Sequence, residues 1–189
     1  RADIFNNPFV AKIMYFLRIL PMVRQRDGLR NVLKNKETQE VIVETLENGV
    51  RFCMFPEGKH RTKHSLQVLG KGVFRAALAA NEKFGSERPI YIVPVGIEYG
   101  DYFRYRSTSL VNYGNAINVT KFVKTHDVEN DVQIIEPLRK ELTSRMSELM
   151  TFISDDENYE AKWALLKMLS IAGSKKGYGD FGTSLYQEM

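Results

Sequence analysis

Apolar residues recur at helical spacing in the first stretch of the chain. Between Phe5 and Leu20 they fall at Phe9, Val10, Ile13, Met14, Phe16, Leu17 and Leu20, and this spacing predicts a helix. Pro8 stands near its start and Pro21 at its end, where a helix tolerates proline or stops. Lys12 and Arg18 are its only charges, so it is expected either to be well buried or to lie partly in a membrane interface. An amphipathic pattern returns from Glu37 to Asn48, through Val41, Ile42, Thr45 and Leu46, and Asn48-Gly49 supplies the stop. Val50 to Phe55 (VRFCMF) reads as a short strand, with Cys53 as a core residue within it.

Helical spacing resumes after Gly70-Lys71-Gly72, through Val73, Phe74, Ala76, Ala77, Leu78 and Ala80. Pro89 to Ile97 (PIYIVPVGI) is nearly continuous in apolar and β-branched residues, as in a strand buried on both faces. Helix, strand, helix and strand in that order are the sequence form of a parallel α/β unit. Strands over Ser107–Tyr113 and Ile117–Thr120 follow, with a Gly114-Asn115 turn between them. Helices over Pro137–Ile153 and Tyr159–Ile171 complete the pattern, the second carrying the only tryptophan, Trp163. The expected fold is α/β, with a mostly parallel or mixed central sheet flanked by helices. One domain is expected over residues 1–172, with a loosely held tail over 173–189, where four glycines lie among polar residues.

Composition narrows the class. With 189 residues, 43% hydrophobic and 26% charged, the chain is ordinary for a globular domain, which excludes disorder, collagen-like repeats and coiled coil as the whole structure. A single cysteine excludes an intramolecular disulfide framework and suits a reducing compartment. No apolar run reaches the ~18 residues that span a bilayer. Net charge is +4, but it is unevenly placed: residues 1–75 hold 14 Lys+Arg against 7 Asp+Glu, and the remainder 13 against 16. A basic first part points to an anionic partner, whether a phosphate-bearing ligand, an anionic membrane surface or nucleic acid.

Candidate chemistry concentrates in Phe55-Pro56-Glu57-Gly58-Lys59-His60-Arg61, directly after the VRFCMF segment, where α/β sheets place their ligand loops. A sharp turn with a carboxylate, followed by Lys59, His60, Arg61, Lys63 and His64, can aim several cations at one anion. A solvated basic loop is the plain alternative. His60 and His64 have the spacing of two helical metal ligands, but no clear third ligand accompanies them and no metal is expected. Gly70-Lys71-Gly72 lacks the spacing of a Walker loop. The Tyr99–Tyr105 run interleaves aromatics with Arg104 and Arg106, a pattern compatible with base stacking and, more ordinarily, with edge packing; no nucleic-acid partner is expected.

Phe55–Gly58 resembles the F-P-E-G motif of the PlsC-like glycerolipid acyltransferases, the 1-acylglycerol-3-phosphate acyltransferase family. Leu20-Pro21-Met22-Val23-Arg24 resembles that family's second block, Leu69-Gly70-Lys71-Gly72 its Lys-Gly step, and Ile92-Val93-Pro94-Val95 its fourth block. The four follow the family's order over roughly residues 1–97. Where the family's third block continues Thr-Arg-Ser, this chain has Lys59, His60 and Arg61.

The resemblance implies transfer of a fatty acyl group from acyl-CoA or acyl carrier protein to a lysophosphatidic acid-like acceptor in phospholipid biosynthesis, without a cofactor. It implies that Arg24, Glu57 and Gly58 hold the acceptor's glycerol phosphate, assisted by His60, Arg61 and Lys71. It further implies a peripheral place on the cytoplasmic face of a membrane. The family's catalytic base and its carboxylate form a His-x4-Asp block ahead of the second block. His126 and Asp131 have that spacing but follow the fourth block, and they read as a coincidence in a polar loop. The dyad is therefore expected upstream of Arg1. The rivals are a lipid- or phosphate-binding module without catalysis, an acyltransferase acting on an aminolipid, and a basic nucleic-acid-binding domain.

Overall fold

The computed structural model describes residues 2–21, 30–59, 61, 63–99, 105–126 and 131–175. The helix expected over Phe5–Leu20 is shorter than that: a 3-10 helix over Ala2–Asn6 precedes helix α1 over Pro8–Phe16, which stops ahead of Leu20. Asn7 caps α1, its side-chain oxygen accepting from the N–H groups of Phe9 at 3.0 Å and Val10 at 3.4 Å. Pro8 follows at the first helical position, where its missing N–H costs nothing. The helix closes through Arg18, whose φ of 56° lets Ile19 N–H reach back to Met14 O at 2.9 Å. No residue of α1 is buried, and Phe9 and Phe16 are 73% and 84% exposed. The buried alternative for this helix therefore fails.

Helix α2 spans Arg30–Glu47 and ends at Gly49, whose φ is 77°, with Val50 N–H returning to Thr45 O at 3.1 Å. Helix α3 (Gly72–Phe84) starts at the glycine that the sequence pattern indicates. It is the middle of the core. Phe74 and Ala80 are fully enclosed, and Ala77, Leu78 and Phe84 join Val43 of α2. Glu47 fastens the two helices, accepting from Lys83 at 2.5 Å through its carboxylate and from Arg88 through its carbonyl.

Two expectations about strands are corrected. Val50–Phe55 forms no ladder; it joins α2 to the turn at Pro56-Glu57 without regular structure, with Arg51, Cys53 and Phe55 exposed and Phe52 and Met54 half-buried. Cys53 is consequently a surface thiol rather than a core residue. The alternation presents one face only, and Cys53 lies on the wet one.

The Pro89–Ile97 run is not a central parallel strand either. It divides into β1 (Tyr91–Ile92) and β2 (Val95–Tyr99), which pair antiparallel with β4 (Ile117–Asn118) and β3 (Ser109–Tyr113) respectively. The four strands make one long hairpin arm with a break. Gly114 N–H donates to Pro94 O at 3.0 Å inside that break, where Val93 and Pro94 face Gly114, Asn115 and Ala116, one residue more. Pro94 has no N–H to give the ladder, and the extra residue opposite makes a bulge. Among the described residues every strand pair is thus antiparallel. The partner nearest in sequence wins, because a hairpin closes a shorter loop than a crossover does.

Residues Val119–His126 form helix α4 where strand was expected to continue to Thr120. Asn118 accepts from Lys121 N–H at 2.8 Å through its side chain and so caps the turn that ends the strand. His126 accordingly ends a helix instead of lying in a loop; its ring stacks on Phe122 at 4.1 Å. Helix α5 spans Asp131–Ser147, beginning ahead of Pro137, which it contains. Ile134, Ile135, Leu138 and Leu142 of α5 complete the core together with Ile92, Ile117 and Val119. Helix α6 spans Tyr159–Lys175, beyond the predicted tail boundary; residues 176–189 of that tail lie outside the described residues.

Candidate functional site

Two of the sequence blocks meet in space. Phe55, Pro56, Glu57 and Gly58 form a turn, with Gly58 N–H donating to Phe55 O at 3.3 Å. Gly58 has φ of 64°, in the region where a side chain is strained, which accounts for glycine here. Gly70 N–H then donates to Pro56 O at 2.7 Å, so the Lys-Gly step closes back onto the F-P-E-G turn. Gln67 braces the enclosed loop, its N–H donating to the Glu57 carboxylate at 3.5 Å and its side-chain amide to Lys59 O at 3.0 Å. Lys71 follows at once as the exposed N-cap residue of α3, and its own side chain makes no capping hydrogen bond there.

The far side of the loop is held by the chain's last third. Arg61 and Lys63 both pair with Asp155, at 2.8 and 2.5 Å. His64 N–H donates to the Tyr159 hydroxyl at 2.8 Å, and Ile153 N–H donates to His64 O at 2.7 Å. The His64 ring stacks on Trp163 with centroids 4.3 Å apart, while Lys63 lies over the Tyr159 ring at 4.8 Å. Ser65 is buried and receives Arg61 Nη1 at 3.5 Å. Glu98 is buried at the end of β2 and accepts from both the N–H and the hydroxyl of Thr151.

The electrostatics follow from these contacts. The Lys63 ammonium, hydrogen-bonded to Asp155 and assisted by Arg61, holds that carboxyl below its ordinary range. Burial pushes His64 below its ordinary value, against the pull of the Glu98 carboxylate, with Lys167 adding to the downward shift. His64 is therefore kept neutral more strongly than a free imidazole. Among the described residues no group of three or more His, Cys, Asp or Glu side chains could hold a metal ion.

Of the expected site residues, Glu57 and Gly58 stand on the loop that Gly70 closes, Lys71 follows that closure as the N-cap residue of α3, and Arg61 stands on the same loop toward Asp155. Arg24 and His60 lie outside the described residues. Lys63, Gln67, Asp155, Tyr159 and Trp163 belong to the same arrangement without having been singled out as site residues. Lys63 had a visible signal, the run of cations around it. Asp155 and Tyr159 had none, because they lie 92 and 95 residues from the partners they hold.

An arrangement with a carboxylate in a Gly turn, cations beside it and a helix start after it can receive an anionic ligand and hold its neighbouring hydroxyls. A family model described as Acyltransferase matches residues 1–98, over half of the chain, and the chain belongs to that family. The matched stretch contains all four blocks on which the PlsC-like resemblance rests. No curated protein and no solved structure matches the chain.

Proposed function

We propose that this acyltransferase moves a fatty acyl group from acyl-CoA or acyl carrier protein to a lysophosphatidic acid-like glycerolipid. The observation that carries the reading is the bond from Gly70 N–H to Pro56 O, which ties the turn bearing Glu57 to the residue just before Lys71. In this reading Glu57 accepts a hydrogen bond from the acceptor's glycerol, while Arg24, Arg61 and Lys71, with His60, face its phosphate. Lys71 contributes as a point charge and the arginines as forks that match two phosphate oxygens. The acceptor hydroxyl attacks the thioester carbonyl, the C–S bond breaks, and the hydroxyl proton passes through a histidine base to the departing thiolate. The base belongs to a His-x4-Asp block ahead of Arg24 in the order of blocks. No cofactor takes part. The exposed apolar side chains of α1 support peripheral attachment to the cytoplasmic face of a membrane. Among the described residues no helix is long and apolar enough to cross one.

A second reading, a lipid- or phosphate-binding module without turnover, has one observation in its favour. Both described histidines are engaged structurally, His64 against Trp163 and His126 against Phe122. One experiment separates the two. A chain carrying an in-frame His-x4-Asp ahead of Arg1 is incubated with oleoyl-CoA and lysophosphatidic acid. Phosphatidic acid forms, and Glu57→Ala lowers its rate by about 10²-fold or more, in the range of lost transition-state contacts. Binding of lysophosphatidic acid with no product would give the binding module the lead.

A further inference from the structure

We propose that Asp155 is an internal counter-anion that occupies the Arg61–Lys63 cation pair until a phosphomonoester takes its place, so that this carboxylate sets the affinity of the anion site. The inference rests on the reading that the Glu57–Ser65 loop receives the acceptor's phosphate, and it assigns a role to a residue far outside the matched stretch.

Geometry is the first argument. Asp155 spreads its two oxygens over two cations, Oδ1 to Lys63 Nζ at 2.5 Å and Oδ2 to Arg61 Nη2 at 2.8 Å. Two oxygens of a phosphate monoester can make the same bridge, with its third left for another donor. Accessibility is the second. The Arg61 and Lys63 side chains are 39% and 40% exposed and Asp155 30%, so a ligand can reach the pair and the carboxylate can swing out into water. Exposed ion pairs of this kind are weak and are readily exchanged for a better anion.

Redundancy is the third argument. The segment bearing Asp155 stays attached to the loop through other bonds, Ile153 N–H to His64 O and His64 N–H to the Tyr159 hydroxyl. The neighbouring Asp156 is occupied with Lys162 at 2.5 Å and with Asn158 N–H at 3.0 Å. Among the described residues Asp155 is the one carboxylate paired with the two cations, and removing its charge leaves the clamp in place. A carboxylate serving only as a structural brace would weaken the site when removed. One serving as a stand-in for the ligand strengthens it.

The sign of the change is the test. Glycerol 3-phosphate is titrated at fixed ionic strength into the wild-type chain, Asp155→Asn, Asp155→Ser and Asp155→Glu, followed by calorimetry and by the emission of Trp163. Asp155→Asn and Asp155→Ser bind roughly five-fold tighter, in line with the loss of two weak competing pairs, and Asp155→Glu stays near wild type. Glycerol binds none of them. Equal tightening toward inorganic phosphate upholds the proposal with recognition by phosphate alone; tightening toward glycerol 3-phosphate only upholds it with the glycerol moiety included. Unchanged or weaker binding in folded Asp155→Asn and Asp155→Ser overturns this proposal and leaves the phosphate-binding loop standing. No binding of either probe by any of the four chains overturns both.

Discussion

His64 lies nearly parallel to Trp163, the ring planes 26° apart and the centroids 4.3 Å apart. This contact joins the family-matched half of the chain to the helix that follows it by the longest route in sequence. His64 meets α6 through its ring and its N–H, and its carbonyl accepts from Ile153 ahead of that helix. Trp163, the single tryptophan, therefore reports on the loop next to Glu57.

The first prediction is a pH dependence. Burial lowers the His64 pKa in the folded chain from 6.5, so as pH falls through 6.5 the unfolded chain takes up its proton first. Stability is full above that value and declines as pH drops toward the lowered folded value, where the loss is complete. His64→Gln, which does not titrate, should flatten this part of the curve. Thermal unfolding of both chains between about pH 7.5 and about pH 5.5 checks it. Trp163 emission in the wild type should fall with a midpoint below 6.5 as the stacked imidazole becomes cationic. Equal slopes for the two chains would remove His64 as the titrating group.

A second prediction concerns Glu98, which ties β2 to the segment leading into the clamp. Its carboxylate accepts both Thr151 donors from a buried position. Glu98→Ala leaves the Thr151 N–H without its partner and should cost about 1–3 kcal/mol. Thr151→Val keeps the backbone bond, loses only the hydroxyl and should cost about 1 kcal/mol. Urea unfolding midpoints give the ranking. Because Glu98 pulls the His64 pKa upward, Glu98→Gln should also move the Trp163 midpoint to lower pH.

Close approach of backbones supplies a third. A Cβ on Gly96 would stand 2.4 Å from Leu149 O and 2.9 Å from Leu149 C, so Gly96→Ala must push β2 away from the turn that follows α5. The expected loss is about 1–3 kcal/mol or more, as for overpacked cores. A Cβ on Gly58 meets nothing within 4 Å, and Gly58→Ala pays only for its φ of 64°, about 1 kcal/mol. The two variants, compared by chemical denaturation, should separate accordingly. Gly58→Ala should nonetheless impair ligand binding more than Gly96→Ala does, since it reshapes the turn that carries Glu57.

How far these features could be read in advance depended on distance along the chain. Helices α1, α2 and α3 were legible where their ends are local, Pro8 and Gly72 marking starts and Gly49 a stop. By contrast, α1 closes through Arg18 ahead of Pro21, and α2 begins at Arg30, seven residues before the expected Glu37. The turn at Glu57 and Gly58 was legible because both sit in a four-residue motif. Strand pairing was not, because an apolar run such as Pro89–Ile97 carries no record of its partner, and Pro94 within it decided against a continuous ladder. VRFCMF has the composition of a strand, yet composition cannot supply hydrogen-bonding neighbours, and Cys53 faces water as a result. The hold of Asp155, Tyr159 and Trp163 on the loop depends on contacts across more than ninety residues, which no local pattern encodes.

The last prediction tests membrane attachment through α1. Phe9, Ile13 and Phe16 project from this helix 73%, 41% and 84% exposed, and Leu17 and Ile19 just beyond it are 56% and 44% exposed. Lys12 and Arg18 stand among them, so the surface offers apolar side chains to acyl chains and cations to anionic headgroups. Burying one phenylalanine contributes about 1.5–3 kcal/mol, so Phe16→Glu should lower the partition into phosphatidylglycerol vesicles by at least about ten-fold. No α1 residue is buried in the protein itself, so thermal stability should stay within about 0.5 kcal/mol of wild type. Lys12→Gln should weaken binding to anionic vesicles and leave binding to neutral phosphatidylcholine vesicles unchanged, with the difference vanishing at high salt. Vesicle co-sedimentation at two ionic strengths reads the binding effects, and thermal unfolding reads the stability. Unaltered sedimentation of Phe16→Glu would take α1 out of the membrane contact and return its apolar side chains to a protein partner.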